Sequence, residues 1–245
     1  MHPSGETLAE LQSRVIACER CERLRHHCRL VAEKKRRAWR DWDYWGRPIP
    51  SFGDPAARLL IIGLAPAAHG ANRTGRIFTG DRSGDLLYRV LYQTGFASQP
   101  ESRSREDGLR LLDAYITAVL RCAPPGNKPL REEIVNCREY LERELELLPN
   151  VKVVVALGRL AFDVYLGVLR DRMLISRRSA YAFAHDREHR IGPTLPVLIS
   201  SYHPSQQNTL TGRLTEAMFA AVFRRARRLI GPPEAGGPVG YSELM

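Results

Sequence analysis

Arg58-Leu59-Leu60-Ile61-Ile62-Gly63-Leu64 is an apolar run between a cation and a glycine, with no polar residue at alternate positions. A strand with one face in water alternates; a strand apolar throughout is covered on both faces, as in a parallel sheet flanked by helices. Three later segments have the same character: Ala114 to Leu120, Val151 to Leu157 and Pro196 to Ser201. Between and after them the apolar spacing lengthens to the helical period. Helices are expected near 83 to 95, over Arg131 to Leu148 on the stripe Ile134, Cys137, Leu141, Leu145 and Leu148, from Gly158 to about Leu169, and over 212 to 230. Apolar strands alternating with helices predict the α/β class. An irregular Arg- and His-rich span follows Leu169, with one edge strand expected near 180 to 184.

Ahead of the first strand, residues 6 to 17 and 22 to 40 read as helical, the second strongly basic and ending near a Trp39, Trp42, Tyr44, Trp45 cluster. The Lys34-Lys35-Arg36-Arg37 run reads as a solvated face. One domain over 1 to 230 is expected, with 1 to 55 as its basic helical segment and 231 to 245, rich in Gly and Pro, as a flexible tail. The 245 residues suffice for a full core without disulfides. A net charge of +10, with all but four of 37 basic residues arginine, favours a polyanionic partner. No apolar run reaches the roughly 18 residues of a membrane span, and no signal-peptide core precedes Arg14. A monomeric cytoplasmic protein is expected, whose five cysteines are reduced and open to metal or cluster ligation.

Parallel strands send their following loops to one edge, where α/β sheets bind ligands. Those loops here are Ala65 to Asp81, containing Ala65-Pro66-Ala67-Ala68-His69-Gly70; Arg121-Cys122-Ala123-Pro124-Pro125-Gly126-Asn127-Lys128-Pro129; and Tyr202-His203-Pro204-Ser205-Gln206-Gln207-Asn208-Thr209. Together, Gly63 to Asp81, Arg121 to Pro129 and Ser201 to Thr209 resemble the motifs of the uracil-DNA glycosylase superfamily, and within it the family 5 (UDGb-type) enzymes with an iron-sulfur cluster. The resemblance spans most of the chain. It implies a three-layer α/β/α sandwich around a mostly parallel four-stranded sheet, and excision of uracil and other deaminated bases such as hypoxanthine and xanthine from DNA.

The resemblance also implies residue roles. His203 would stabilise the departing base at its O2, as a neutral donor or an imidazolium. The carboxylate or amide that many relatives carry in the first loop is replaced here by Ala65, with Leu64 where a related cluster-bearing family has Glu. Asp81 and Asn127 are the remaining polar candidates, for water positioning or charge stabilisation and for water or base contact. Asp81 also suits a helix cap, and Asn127 a turn. Phe78 would stack on the flipped base, or fill the core, beside a backbone wall of Gly63, Leu64 and Ala65. Cys18, Cys21, Cys122 and Cys137 match the ligands of a structural [4Fe-4S] cluster, leaving Cys28 unligated. Zinc remains the rival, held by the same four thiolates or by Cys18, Cys21, Cys28 and His26 or His27.

Arg73, Arg76, Lys128 and Arg213 are expected to grip DNA phosphates, with Ser205, Gln206, Gln207 and Asn208 entering the groove. No motif lysine except Lys128 suggests a Schiff base, so a monofunctional enzyme without lyase activity is expected. A non-catalytic binder of damaged DNA is the alternative, motivated by the missing carboxylate. An α/β hydrolase of small phosphorylated ligands ranks below both, because a Gly-x-Ser-x-Gly elbow and a phosphate-binding loop are absent.

Overall fold

The computed structural model describes residues 5–232. Of the tail expected at 231 to 245, all but the first two residues lie outside them. Helices α1 (Leu8–Ile16) and α2 (Glu22–Lys34) come first, α1 closed at its start by a Thr7–Glu10 capping box. The central strands are β2 (Leu59–Gly63), β3 (Ala114–Ala118), β4 (Val153–Leu157) and β6 (Val197–Ser201). They pair in parallel in the order β3-β2-β4-β6, with Ile61 opposite both Ile116 and Val155, and Val155 opposite Ile199.

Two short strands extend the expected four-stranded core to six: β1 (Phe52–Gly53) antiparallel to β3, and β5 (Arg187–His189) antiparallel to β6. The edge strand therefore lies after 180 to 184, not within it. Residues Arg178–Ala180 form a single 3-10 turn, and Phe183 packs on Phe162 at 5.5 Å between rings. A left-handed Asp186 then turns the chain onto β6.

The two-residue period sorts the sheet into two cores. Leu59, Ile61, Ile116, Val153, Val155 and Ile199 face one layer, formed by α4 (Arg82–Gln93) and α8 (Glu216–Ile230). Leu60, Ile62, Tyr115, Val154, Ala156 and Leu198 face the other, formed by α1, α2, α5 (Arg131–Leu147) and α6 (Arg159–Asp171). A one-residue slip of any strand would exchange its two sets, so burial on both faces fixes register. Short helices α3 (Ala71–Thr74) and α7 (Gln206–Leu210) interrupt the loops after β2 and β6.

The first helix is held by a buried polar network. Arg121, 1% exposed, meets fully buried Glu144 at 2.5 Å, and Thr117 donates to the same carboxylate at 2.5 Å. Gln12 of α1 donates to Glu144 and to the Tyr115 hydroxyl, each at 3.0 Å. Its own amide oxygen accepts from the Ser51 N–H at 2.7 Å. Helix, incoming chain, sheet and α5 thus converge on one carboxylate. No helix among the described residues is long and apolar enough to cross a membrane.

Candidate active site

His203 stands two residues beyond β6, at the edge where all four parallel strands end. A Cβ on Gly158, at the end of β4, would lie 3.3 Å from the His203 Cβ, and Gly158 has a left-handed φ of 94°. Glycine is needed there for both space and conformation. The His203 carbonyl accepts from the Asn208 side chain at 2.8 Å, tying α7 to the loop. Burial pushes the imidazole down to about 4, since its charged form loses hydration without gaining a counterion. At neutral pH the ring is therefore uncharged, with one N–H to donate.

The Phe78 ring stacks against His203, with centroids 6.0 Å apart and planes tilted by 29°. Phe78 has φ 53°, a conformation that bulky residues rarely occupy. Two glycines make it possible. A Cβ on Gly63 would fall 2.7 Å from the ring carbons, and one on Gly84 only 1.6 Å from the Phe78 carbonyl oxygen. The Gly63 and Leu64 carbonyls continue the pairing with Val119 and Leu120 N–H groups at 3.0 Å. The backbone leading to half-buried Ala65 is thereby fixed.

Asp81 meets its helix-cap reading. Its Oδ1 accepts from the Ser83 and Gly84 N–H groups, at 2.9 and 3.0 Å, and caps α4. Its Oδ2 lies against Gly70, where a Cβ would come within 2.3 Å. Desolvation raises the carboxyl above the ordinary aspartate value, although the two N–H groups and Arg73 pull it down. Asn127 is exposed, with φ 57°, on a 3-10 turn at the same sheet edge. Its backbone N–H bonds to Pro124 at 3.0 Å, as its turn reading expects.

Two of the expected phosphate contacts are structural instead. Arg73, 5% exposed, lies 4.5 and 4.1 Å from the ring centres of Trp39 and Trp42 and donates to the His69 and Gly80 carbonyls. Arg76, 4% exposed, bonds Thr79, Ser102 and Asp107. Neither guanidinium can leave these partners without uncovering a buried charge. Lys128 and Arg213 are exposed, Arg213 over the Tyr202 ring at 4.5 Å. Gln206 and Gln207 are exposed on α7, with Ser205 half-buried at its start and Asn208 turned inward to His203. At the end of α7 stands Leu210, 72% exposed and absent from the sequence expectations. Its signal is weak: one apolar residue in a polar loop has no period to mark it.

Cys18, Cys21, Cys122 and Cys137 line one small void of about 20 Å³. Arg25 and Arg121 also line it; both are buried, and Arg25 Nε and Nη1 and Arg121 Nε have no hydrogen-bond partner. Orphan N–H groups beside four sulfurs suit an anionic group. The Arg121 backbone N–H meets Cys137 Sγ at 3.3 Å, and Asn136 meets Cys21 Sγ at 3.7 Å. Burial pushes the Cys137 thiol up to about 12, so a bound cationic centre would have to draw off its proton. Cys28 does not line this void; its thiol faces the Ala123 carbonyl at 3.8 Å. Among the described residues no three His, Cys, Asp or Glu side chains converge as a single metal ion requires.

The family model of the uracil DNA glycosylase superfamily matches residues 50–227. A type-5 uracil-DNA glycosylase of Thermus thermophilus is 50% identical over 217 residues, covering 89% of this chain and 95% of that protein. One from Mycobacterium leprae is 46% identical, covering 92% and 96%. One from Pyrobaculum aerophilum is 43% identical, covering 87% and 89%.

Proposed function

The chain belongs to the uracil-DNA glycosylase superfamily, in its type-5 branch, and from that membership we propose a monofunctional enzyme that removes uracil, hypoxanthine and xanthine from DNA through His203 and Asp81. The observation that carries the residue roles is the half-buried His203 ring stacked beside Phe78 at the sheet edge, its proton affinity lowered by desolvation. When the bond between C1′ and the base nitrogen breaks, its electron pair leaves with the base and negative charge gathers on the base carbonyl oxygen. A neutral imidazole N–H, already desolvated, stabilises that charge without first giving up a hydration shell. Water adds to C1′ and releases a proton to Asp81 or to solvent, leaving an abasic sugar; the base anion takes its proton from water. In this reading Asp81 Oδ2, which lies against Gly70 while Oδ1 caps α4, would turn to the positive sugar and the incoming water. It supplies the carboxylate missing at Ala65, which favours catalysis over binding alone.

Phe78 provides the flat contact for the flipped base, and the backbone from Gly63 to Ala65 provides a wall with few obligatory readers. That wall supports a permissive base preference. Leu210 and α7 would fill the gap left in the duplex, as apolar wedges do. A [4Fe-4S] cluster would be held by Cys18, Cys21, Cys122 and Cys137, the four thiols that line one void beside Arg25 and Arg121. When bound, it would supply a cross-link between the N-terminal helices and the loop after β3.

End-labelled duplexes carrying one uracil, hypoxanthine, xanthine or unmodified base, treated with enzyme and then hot alkali, test the reading. Strand breaks at all three deaminated bases, and only there, are expected. Breaks at uracil alone would remove the permissive pocket; binding without breaks would remove the enzyme.

A further inference from the structure

A second cavity, of about 540 Å³, opens between α1, α2 and the segment 44–47, and the pocket chemistry makes no use of it. Arg25, Arg29 and Arg47 line it together with Tyr44, Trp45 and one acid, Glu19. Arg29 and Arg47 are exposed on the rim, and Arg25 forms the floor at 4% exposure. Glu19 pairs with Arg29 at 2.6 Å and lies 3.3 Å from Arg25, leaving two of three cationic charges uncompensated. Arg25 spends Nη2 on the Gly46 carbonyl at 3.1 Å and turns Nε to Glu19, while its Nη1 is buried without a partner. A buried guanidinium with an unpartnered Nη1, flanked by two exposed arginines in an open groove with one acid, is a site for an oxyanion.

The groove adjoins the catalytic edge. The Trp45 and Gly46 N–H groups donate to the Arg73 and Asn72 carbonyls of the loop after β2, at 3.0 and 3.1 Å. The Tyr44 hydroxyl lies 3.0 Å from His69 Nδ1 in the same loop. We infer that the groove walled by Arg25, Arg29 and Arg47 binds backbone phosphates of the DNA strand flanking the extruded nucleotide. The inference deepens the proposed function and rests on it. It also locates the phosphate grip that buried Arg73 and Arg76 do not supply.

The test measures Kd against chloride concentration for a duplex carrying 2′-fluoro-deoxyuridine, which resists excision. Wild type is compared with Arg29→Ala, Arg47→Ala and the double variant. Both side chains are exposed, so folding is not at stake, and Arg25→Lys is added as a probe of the floor. The double variant should bind about tenfold more weakly at low salt and flatten the log–log salt slope by about 2, roughly one unit for each phosphate no longer held. The enzyme concentration that half-saturates excision of an ordinary uracil duplex should rise by the same factor. Unchanged slopes overturn the inference. So does a loss of binding seen only when inorganic phosphate replaces chloride, since that marks a small-anion site. If wild type itself fails to excise uracil, the proposed function falls instead, and the slopes still report on the groove.

Discussion

The base pocket and the polar network behind the cysteines border the same sheet, and they spend their buried polar groups in opposite ways. Around Glu144 both carboxylate oxygens are used, by Gln12 and Ser51 on one and by Thr117 and Arg121 on the other. In the pocket, burial is uncompensated. His203 is desolvated without a counterion, Phe78 is held at a positive φ, and Asp81 commits one oxygen to its helix and leaves the other. A network that saturates its carboxylate pins chain segments together; an unsaturated pocket keeps interaction capacity for a charge that appears only during reaction. The difference separates what holds the molecule together from what acts.

The largest effect expected from that division is on stability. Glu144→Gln should leave the Arg121 cation buried without its anion and cost about 3–5 kcal/mol. In a chain of this size that is a fall of about 10 °C in Tm by thermal melting. Excision per folded molecule, measured well below the transition, should stay near wild type. A Glu144→Gln protein with unchanged Tm would show that the network is ornamental.

His203→Ala should do the reverse. Losing the donor at the leaving base predicts a fall of about 10²–10³-fold in single-turnover excision, with Tm unchanged. Because the ring is already neutral, wild-type activity should show no histidine titration between pH 5 and 8. A limb rising as pH falls through about 6.5 would mean that an imidazolium is the active form.

Asp81 lies across the division, and paired substitutions divide its roles. Asp81→Asn retains an oxygen able to cap α4, so excision should fall sharply while Tm changes little. Asp81→Ala should add about 1 kcal/mol of destabilisation from the lost cap. Its raised proton affinity sets the acid limb. As pH drops, Asp81 takes up a proton before an ordinary carboxylate does, so activity should decline while far-UV circular dichroism still reports the folded protein. Equal activities for the Asn variant and wild type would leave only the cap.

The same division decides what the sequence makes legible. Leu59 to Gly63 and its three counterparts declare buried parallel strands because all but Thr117, Ser200 and Ser201 among them are uncharged and apolar or aromatic, and all four form. Phe52–Gly53 and Arg187–His189 are too short for a period, so the edges had no signal. The loop motifs locate His203 and Phe78, which meet. They mislead at Arg73 and Arg76, because a cation quoted from a loop reads as solvent-facing. Its burial depends on Trp39 and Trp42 some thirty residues earlier, and on Ser102 and Asp107 about thirty later. Such long-range pairing is a property of the packed chain.

Leu210 offers the finest test, since its role depends on the DNA and not on the fold. At 72% exposure its side chain contributes little to packing, so Leu210→Ala should leave Tm unchanged. If it wedges the duplex open, excision of uracil from a U·A pair should fall about threefold to tenfold, the share of unstacking energy that an apolar plug returns. A U·G mismatch already opens more readily, and single-stranded DNA has no opposite strand to hold apart. The deficit should therefore shrink in that order and vanish on single strands. A loss of equal size on all three substrates would place Leu210 among contacts to the sugar or phosphate, and a deficit growing toward single strands would exclude the wedge.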